Sequence, residues 1–155
     1  MKPETPPKKP RVLLVDDEPR ICAALAGALV SEGYNVIFAE SGDEAISDFR
    51  AREFDIVVLD LRMPGKNGWE TLAQLTFLQP LLPVILITAL PDQQAAAEAA
   101  GVGALLEKPL EILVLLETMH RLLSEPAEVR IARGAARLAR FAGKTPFHPL
   151  PAQST

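Results

Sequence analysis

Short uninterrupted runs of apolar residues recur along the chain, and each is too short to form a helix. Runs of about four to six apolar residues without polar alternation are typical of parallel strands buried on both faces of a sheet. A further, less regular segment begins directly after Gly33 and is also predicted to form a strand. The five strands are expected at Val12–Val15, Tyr34–Ala39, Ile56–Leu59, Val84–Thr88 and Val102–Leu106.

Between these runs, apolar residues recur at the three- and four-residue spacing of helices. Ser41 with Glu44 three residues later predicts a capping box for the second helix. The helices are expected to open near Pro19, Ser41, Trp69 and Pro91, with the fifth over Leu110–Ser124. Five strands and five helices in strict alternation predict an α/β fold, a doubly wound five-stranded parallel sheet with helices on both faces.

The two ends of the chain differ from this alternating part. Residues 1–10 contain four prolines and read as a disordered leader, which leaves 11–125 as the main domain. Residues 126–143 are expected to form an amphipathic basic helix, and 144–155 a disordered tail. The helix carries a basic stripe (Arg130, Arg133, Arg137, Arg140, Lys144) and an apolar stripe (Ile131, Ala135, Leu138, Ala142). We read it as a solvated appendage, or alternatively as a helix that docks an acidic partner or dimerises.

Charge is unevenly distributed between these parts. Residues 11–125 carry 18 acidic and eight basic side chains, a net charge of −10, whereas 126–155 have a net charge of +4. An acidic main domain argues against nucleic acid binding. The lone Cys22 excludes a disulfide framework within the chain. No signal core or apolar run of membrane-spanning length is present, so we expect a cytoplasmic protein.

Polar side chains with compatible chemistry stand where four of the predicted strands end. Asp16 and Asp17 follow the first strand, Asp60 the third, Thr88 ends the fourth and Lys108 follows the fifth. The carboxyl ends of parallel strands meet at one edge of a sheet, where ligands bind. A carboxylate can attack phosphorus, Mg²⁺ would screen the anions, and a lysine and a hydroxyl would contact the phosphoryl oxygens. The sequence therefore predicts a magnesium-dependent phosphoryl-transfer site.

Each of these residues taken singly has a plainer interpretation. Asp16 and Asp17 before Pro19 would also suit the start of a helix, and Asp60 before a proline-glycine loop would suit a turn. Thr88 and Lys108 are weak signals by themselves. The prediction depends on all four strand ends together.

The motifs Val-Leu-Leu-Val-Asp-Asp-Glu, Val-Val-Leu-Asp-Leu-Arg-Met-Pro-Gly-Lys-Asn-Gly, Ile-Thr-Ala and Lys-Pro occur in this order. Over about residues 10–124 the chain resembles a two-component response regulator receiver domain of the chemotaxis-regulator kind, either stand-alone or cut from a longer protein. The resemblance implies a flavodoxin-like strand order 2-1-3-4-5 and Asp60 as acceptor of a phosphoryl group from a histidine kinase. It implies Mg²⁺ held by Asp16, Asp17, Asp60 and the Arg62 backbone carbonyl. It further implies that Thr88 and Lys108 contact the phosphoryl group, and a cis peptide at Lys108-Pro109.

Two positions depart from the pattern of that family. Leu105 stands where the family usually has tyrosine or phenylalanine, so the usual aromatic switch cannot operate in its ordinary form. Arg62 stands two residues after the acceptor, and we hypothesise that its long side chain, together with Leu90, hinders water and prolongs the phosphorylated state.

The resemblance implies a switch that binds a histidine kinase or phosphotransfer protein and a downstream partner, rather than an enzyme. A phosphorylation-independent scaffold is the alternative, motivated by Leu105. A haloacid-dehalogenase phosphatase is disfavoured, because neither aspartate segment has the aspartate, spacer, aspartate order. The fifth helix is more apolar than one buried stripe requires, so Leu110, Leu113 and Val114 are expected to be covered by the tail helix or by a second chain. The sequence does not specify the kinase, the process regulated or the output partner.

Overall fold

A five-stranded parallel sheet forms the centre of the protein in a computed structural model that describes residues 8–63, 65 and 67–142. The strands are β1 (Arg11–Val15), β2 (Asn35–Ala39), β3 (Ile56–Asp60), β4 (Val84–Thr88) and β5 (Ala104–Glu107). Their order across the sheet is β2-β1-β3-β4-β5, and every neighbouring pair is parallel. The predicted fold class and strand order are confirmed.

Six helices accompany the sheet within the described residues. They are α1 (Pro19–Ser31), α2 (Gly42–Ala51), α3 (Gly68–Leu78), α4 (Gln94–Ala99), α5 (Ile112–Leu123) and α6 (Ala127–Ala142). At the start of α2, the Ser41 hydroxyl accepts a hydrogen bond from Glu44 N at 3.1 Å, which confirms Ser41 as the cap. The Glu44 carboxylate accepts from Glu40 N rather than from Ser41 N, so the second bond of the predicted capping box differs. Helix α4 begins three residues later than Pro91, because Asp92 has a φ of 60° and a left-handed residue cannot continue a right-handed helix.

Apolar layers cover both faces of the sheet. Alternate residues of β1 and β3 point to opposite faces, so Leu13 and Val57 pack with α2 and α3, whereas Leu14 and Val58 pack with α1 and α5. Burial on both faces explains the uninterrupted apolar runs in the sequence. Because all five strands run in one direction, their carboxyl ends lie at one edge of the sheet, where the polar residues stand.

Helix α6 packs against the sheet domain at the amino-terminal end of β4, and Arg137 of its basic stripe faces inward, whereas Arg140 is exposed. Arg137 is 1% exposed, and its guanidinium donates to Thr76 Oγ1 of α3 at 3.2 Å and to the Leu82 carbonyl. Phe141 joins the apolar cluster on the α2 and α3 side of the sheet. The expectation of a solvated face is therefore wrong for Arg137, because carbonyl and hydroxyl oxygens near the end of α3 accept its hydrogens. The predicted tail, 144–155, lies outside the described residues.

The outer face of α5 remains open. Leu113 is 71% exposed and Val114 is 38% exposed. The expectation that the tail helix covers them is wrong, because α6 lies against α3 and the end of α4 instead. Covering by a second chain stays a prediction. Among the described residues, no helix has the length and apolarity required to cross a membrane.

Candidate functional site

Three carboxylates meet at the carboxyl edge of the sheet. Asp16 and Asp17 follow β1, and Asp60 is the last residue of β3. One carboxylate oxygen of each lies within 4.8 Å of those of the other two. Asp16 and Asp60 are both 2% exposed, whereas Asp17 is half-buried. The structure thus brings together the three side chains that the sequence proposed as metal ligands.

Lys108 reaches this cluster from the loop after β5. Its Nζ lies 3.2 Å from Asp60 Oδ2, 3.6 Å from Asp16 Oδ2 and 3.8 Å from Glu18 Oε1. The Lys108 backbone N–H donates to the Thr88 carbonyl at 2.8 Å, which ties the loop to the end of β4. The Lys108-Pro109 peptide is cis, as the resemblance implied.

The electrostatics of the cluster favour a further cation. Burial raises the pKa of Asp16, and the Asp60 charge raises it further, although a hydrogen bond from Glu18 N and the Lys108 charge oppose this. Burial lowers the pKa of Lys108, but Asp60 and Asp16 outweigh burial, so that the net shift is upward. One ammonium faces three clustered carboxylates and Glu18. The remaining negative charge and the all-oxygen donor set fit Mg²⁺, which takes one or two carboxylates and keeps several waters.

The backbone after Asp60 is fixed by short-range hydrogen bonds. Arg62 N donates to Asp60 Oδ1 at 3.1 Å, and Gly68 N donates to the Leu61 carbonyl at 3.0 Å. A Cβ at Gly68 would lie 2.5 Å from Leu61 Cα and 2.6 Å from the Asp60 carbonyl oxygen. Glycine is therefore required at the first residue of α3, because the helix starts directly against the end of β3. The Arg62 side chain is exposed, and its carbonyl as a metal ligand stays a prediction.

Thr88 lies at the end of β4, on the strand next to Asp60. Residue Ile87 pairs with Asp60 in the ladder, and the Thr88 side chain is fully buried. Its hydroxyl oxygen accepts a hydrogen bond from Leu90 N at 2.8 Å, while the hydroxyl still carries one hydrogen to donate. Ala89 follows with an exposed, small side chain. The structure places Thr88 at the predicted edge, in a position set by the loop that follows it.

Two features of the site were missed by sequence reasoning. Glu18 contributes a fourth carboxylate, whose Oε1 lies 3.8 Å from Lys108 Nζ. Its position directly after Asp16 and Asp17 in the sequence could have indicated that it lies at the same edge of the sheet. Asn67 and Glu70 form a complete capping box at the start of α3, which holds the end of the loop after Asp60. The Asn-x-x-Glu spacing is a readable cap signal.

An apolar groove borders the carboxylates on the α1 side. It has a volume of about 560 Å³. Asp16 and Lys108 lie at its polar end, and its remaining lining residues are Ile21, Ala24, Leu25, Ile87, Pro109 and Leu110. A partner that reaches the carboxylates therefore has an apolar surface to contact beside them.

The chain has clear relatives among characterised proteins. Transcriptional regulatory protein ZraR of Salmonella typhimurium is 36% identical over 132 residues, which are 84% of this chain and 30% of that protein. Transcriptional regulatory protein GlrR of Escherichia coli K12 is 37% identical over 123 residues, 77% of this chain and 28% of that protein. The chain thus spans less than a third of the length of these two relatives.

Solved structures match the same part of the chain. The response regulator protein TrrA from Thermotoga maritima, determined in complex with Mg(2+)-BeF, gives a TM-score of 0.68 at 32% identity over 73% of this chain and 98% of that one. Chemotaxis protein CheY4 of Vibrio cholerae gives 0.70 at 28% identity over 74% and 99%. Residues 12–120 match the family model described as the response regulator receiver domain. The chain therefore belongs to the response regulator receiver domain family, whose members accept phosphoryl groups in two-component signalling.

Proposed function

We propose that Asp60 is the phosphoryl acceptor of this receiver and that a histidine kinase or phosphotransfer protein is its donor. The observation that carries the proposal is the contact between Lys108 Nζ and Asp60 Oδ2, with Asp16 and Asp17 beside them. An aspartate at the end of a central strand, flanked by two further carboxylates and one ammonium, suits nucleophilic attack on phosphorus.

In the proposed reaction, a carboxylate oxygen of Asp60 forms a bond to phosphorus as the bond from phosphorus to the donor histidine nitrogen breaks. The histidine leaves with the electron pair of that bond. Lys108 is placed to move from the carboxylate to a phosphoryl oxygen and to balance its charge. The Thr88 hydroxyl is placed to donate its hydrogen to another phosphoryl oxygen.

Mg²⁺ is part of the proposal, with Asp16, Asp17 and Asp60 as the side chains that would hold it and the Arg62 carbonyl as a further ligand. When bound, the ion screens the repulsion between carboxylates and the incoming phosphoryl group. The chain's own residues supply the oxygen donors and orient Asp60 through Arg62 N.

The function is that of a switch rather than of an enzyme with turnover on free substrates. The receiver assists its own phosphorylation and dephosphorylation, and the phosphorylated form is proposed to change partner binding. The groove beside Lys108 and Pro109 supports contact with a donor protein at this edge. A cytoplasmic location is part of the proposal, since ATP-dependent histidine kinases transfer their phosphoryl groups there.

Leu105 supports one alternative function. It is partly buried and packs against the apolar cluster on the α2 and α3 side of the sheet. A leucine side chain has no aromatic ring that could change its orientation when the site is phosphorylated. A receiver in which the site cannot communicate through this position would act as a phosphorylation-independent scaffold. This alternative is the second candidate.

Labelling with phosphoramidate in the presence of Mg²⁺, followed by intact mass measurement, tests the proposal. We expect a gain of one phosphoryl group in the wild-type protein and in Asp48→Asn, a control aspartate on α2 outside the carboxylate cluster. Asp60→Asn should gain none. A folded wild-type protein that remains unlabelled would favour the scaffold.

A further inference from the structure

The interface of α6 is the least satisfied part of the described structure. Among the described residues, the buried side-chain polar atoms without a hydrogen-bond partner are Glu125 Oε1, Arg130 Nε and Arg137 Nη2. All three belong to α6 or to the turn that leads into it. Unsatisfied buried polar groups destabilise the packing around them, and weakly held elements open first. These unpartnered groups make α6 the element from which we argue release.

Arg137 is the most deeply buried of these incompletely paired groups. Its hydrogen bonds go to the Thr76 hydroxyl and the Leu82 carbonyl, both uncharged, and no carboxylate in the described residues pairs with it. Burial lowers the pKa of Arg137 only to about 10, so the guanidinium stays charged at neutral pH. A buried charge without a counter-charge is unfavourable, although each hydrogen bond offsets part of the cost.

The docked helix hides the groups that would bind a partner. Arg130 donates to the carbonyls of Leu122 and Leu123 at 3.1 and 2.9 Å, and Arg133 pairs with Glu125 at 2.6 Å. Phe141 is 7% exposed. In the docked state these side chains are all engaged with the receiver. We propose that α6 is a releasable binding helix that presents Arg130, Arg133, Arg137 and Phe141 to a partner protein with an apolar groove rimmed by carboxylates.

The composition of the hidden face selects a protein partner over a nucleic acid. Phe141 lies one helical turn after Arg137, so an aromatic ring and a guanidinium stand side by side. An apolar groove accepts the ring, and carboxylates at its rim give Arg137 the counter-charge that the receiver does not provide. A phosphate backbone would contact the arginines but would leave Phe141 in water.

Gly134 provides a way to release α6 without touching the carboxylate site. A Cβ at Gly134 would lie 2.8 Å from the Pro80 carbonyl oxygen and 3.0 Å from Leu81 Cδ2. Gly134→Ala therefore opposes docking, although alanine favours the helix itself. Gly27 of α1 has nothing within 4 Å of a Cβ, so Gly27→Ala is the matched control for helix propensity.

The probe is a fluorescent helical peptide of leucine and glutamate, with its glutamine counterpart and a DNA duplex as comparisons. Because docking competes with binding, we expect Gly134→Ala to bind the glutamate peptide about tenfold or more tightly than wild type or Gly27→Ala. Hydrogen exchange should show faster exchange of α6 amides in Gly134→Ala alone. Binding of the glutamine peptide should stay weak.

Three results would overturn the inference. One is equal affinity of the wild type, Gly134→Ala and Gly27→Ala for the glutamate peptide, although hydrogen exchange shows that α6 is released in Gly134→Ala. Another is unchanged α6 exchange in Gly134→Ala, since the interface would then tolerate a side chain and would not be marginal. Preference for the DNA duplex would reject the partner class. The experiment does not require phosphorylation, and adding Asp60→Asn should leave its outcome unchanged, so it fails or succeeds independently of the proposed function.

Discussion

Lys108 and Asp60 are 48 positions apart in the sequence, yet the lysine Nζ donates to Asp60 Oδ2 at 3.2 Å. The contact forms because β3 and β5 flank β4 in the sheet and both end at the same edge. Asp16 Oδ2 lies 3.6 Å from the same nitrogen. The ammonium thus lies close to two of the three clustered carboxylates, where its positive charge reduces the repulsion between them.

Replacing the Lys108 ammonium with an apolar group separates its effect on Mg²⁺ binding from its effect on phosphoryl transfer. In Lys108→Met, we expect Mg²⁺ to bind several-fold more tightly at low salt, since a competing cation is removed. Phosphoramidate labelling of Asp60 should nevertheless fall about tenfold or more, because no ammonium balances the phosphoryl oxygens. Titration calorimetry and intact mass measure the two effects. Lys9→Met, at an exposed lysine in the leader, is the control; a parallel fall in Mg²⁺ affinity and labelling would contradict the assigned role.

Gly68 sets the distance between the end of β3 and the start of α3. Because a Cβ there would overlap Leu61 Cα and the Asp60 carbonyl, we expect Gly68→Ala to lower the free energy of unfolding by about 1–3 kcal/mol. Displacement of the backbone at Asp60 should also reduce phosphoramidate labelling. Urea unfolding with Gly27→Ala as control separates this clash from helix propensity, since the control should be neutral or stabilising. Equal stability of the two variants would contradict this, because it would show that the backbone between β3 and α3 shifts to accommodate a Cβ at little cost in free energy.

Glu125 makes the docking of α6 dependent on pH. The hydrogen bond from Arg133 lowers the pKa of Glu125, the charges of Arg133, Arg121 and Arg130 lower it further, and burial opposes them. A lowered pKa in the folded state contributes stability above the unfolded value of 4.5, and that stability is lost as pH falls through the folded pKa. Glu125→Gln should therefore lower the free energy of unfolding by about 1 kcal/mol at pH 7 and by progressively less as the pH falls below 4.5. Urea unfolding at pH 7 and below pH 4.5 measures the difference, with Glu117→Gln, at an exposed glutamate of α5, as the control.

The sequence revealed the sheet and its polar edge because both have one-dimensional signals. Buried parallel strands require unbroken apolar runs, and the residues after Val15, Leu59 and Leu106 must then lie at one edge. The orientation of α6 had no such signal. A periodic row of arginines is typical of a solvated face, and the positions of Thr76 Oγ1 and the Leu82 carbonyl show that Arg137 of this row turns inward.

Arg137 offers a test of how a buried charge affects the stability of this fold. Arg137→Met keeps a long unbranched side chain and removes the unpaired guanidinium, so the free energy of unfolding should stay within about 1 kcal/mol of wild type or rise. Arg137→Ala leaves a void beside Thr76 and should cost about 2 kcal/mol or more. Urea unfolding distinguishes the two variants. A large loss of stability in Arg137→Met would mean that the two hydrogen bonds outweigh the burial of the charge.

Arg62 is expected to control the lifetime of the phosphorylated state. Its backbone N–H orients Asp60 through Oδ1 at 3.1 Å, so truncation of the exposed side chain leaves that contact in place. If the long side chain hinders water at the acyl phosphate, the Arg62→Ala variant should lose its phosphoryl group about three- to tenfold faster, a barrier change of about 0.6–1.4 kcal/mol. Decay of the label, followed by intact mass after removal of phosphoramidate, measures this rate. Arg50→Ala on α2 removes an equal charge away from the site and should decay at the wild-type rate. Equal decay of all three proteins would reject shielding by Arg62 and leave Leu90, the neighbour of Ala89, as the remaining apolar shield.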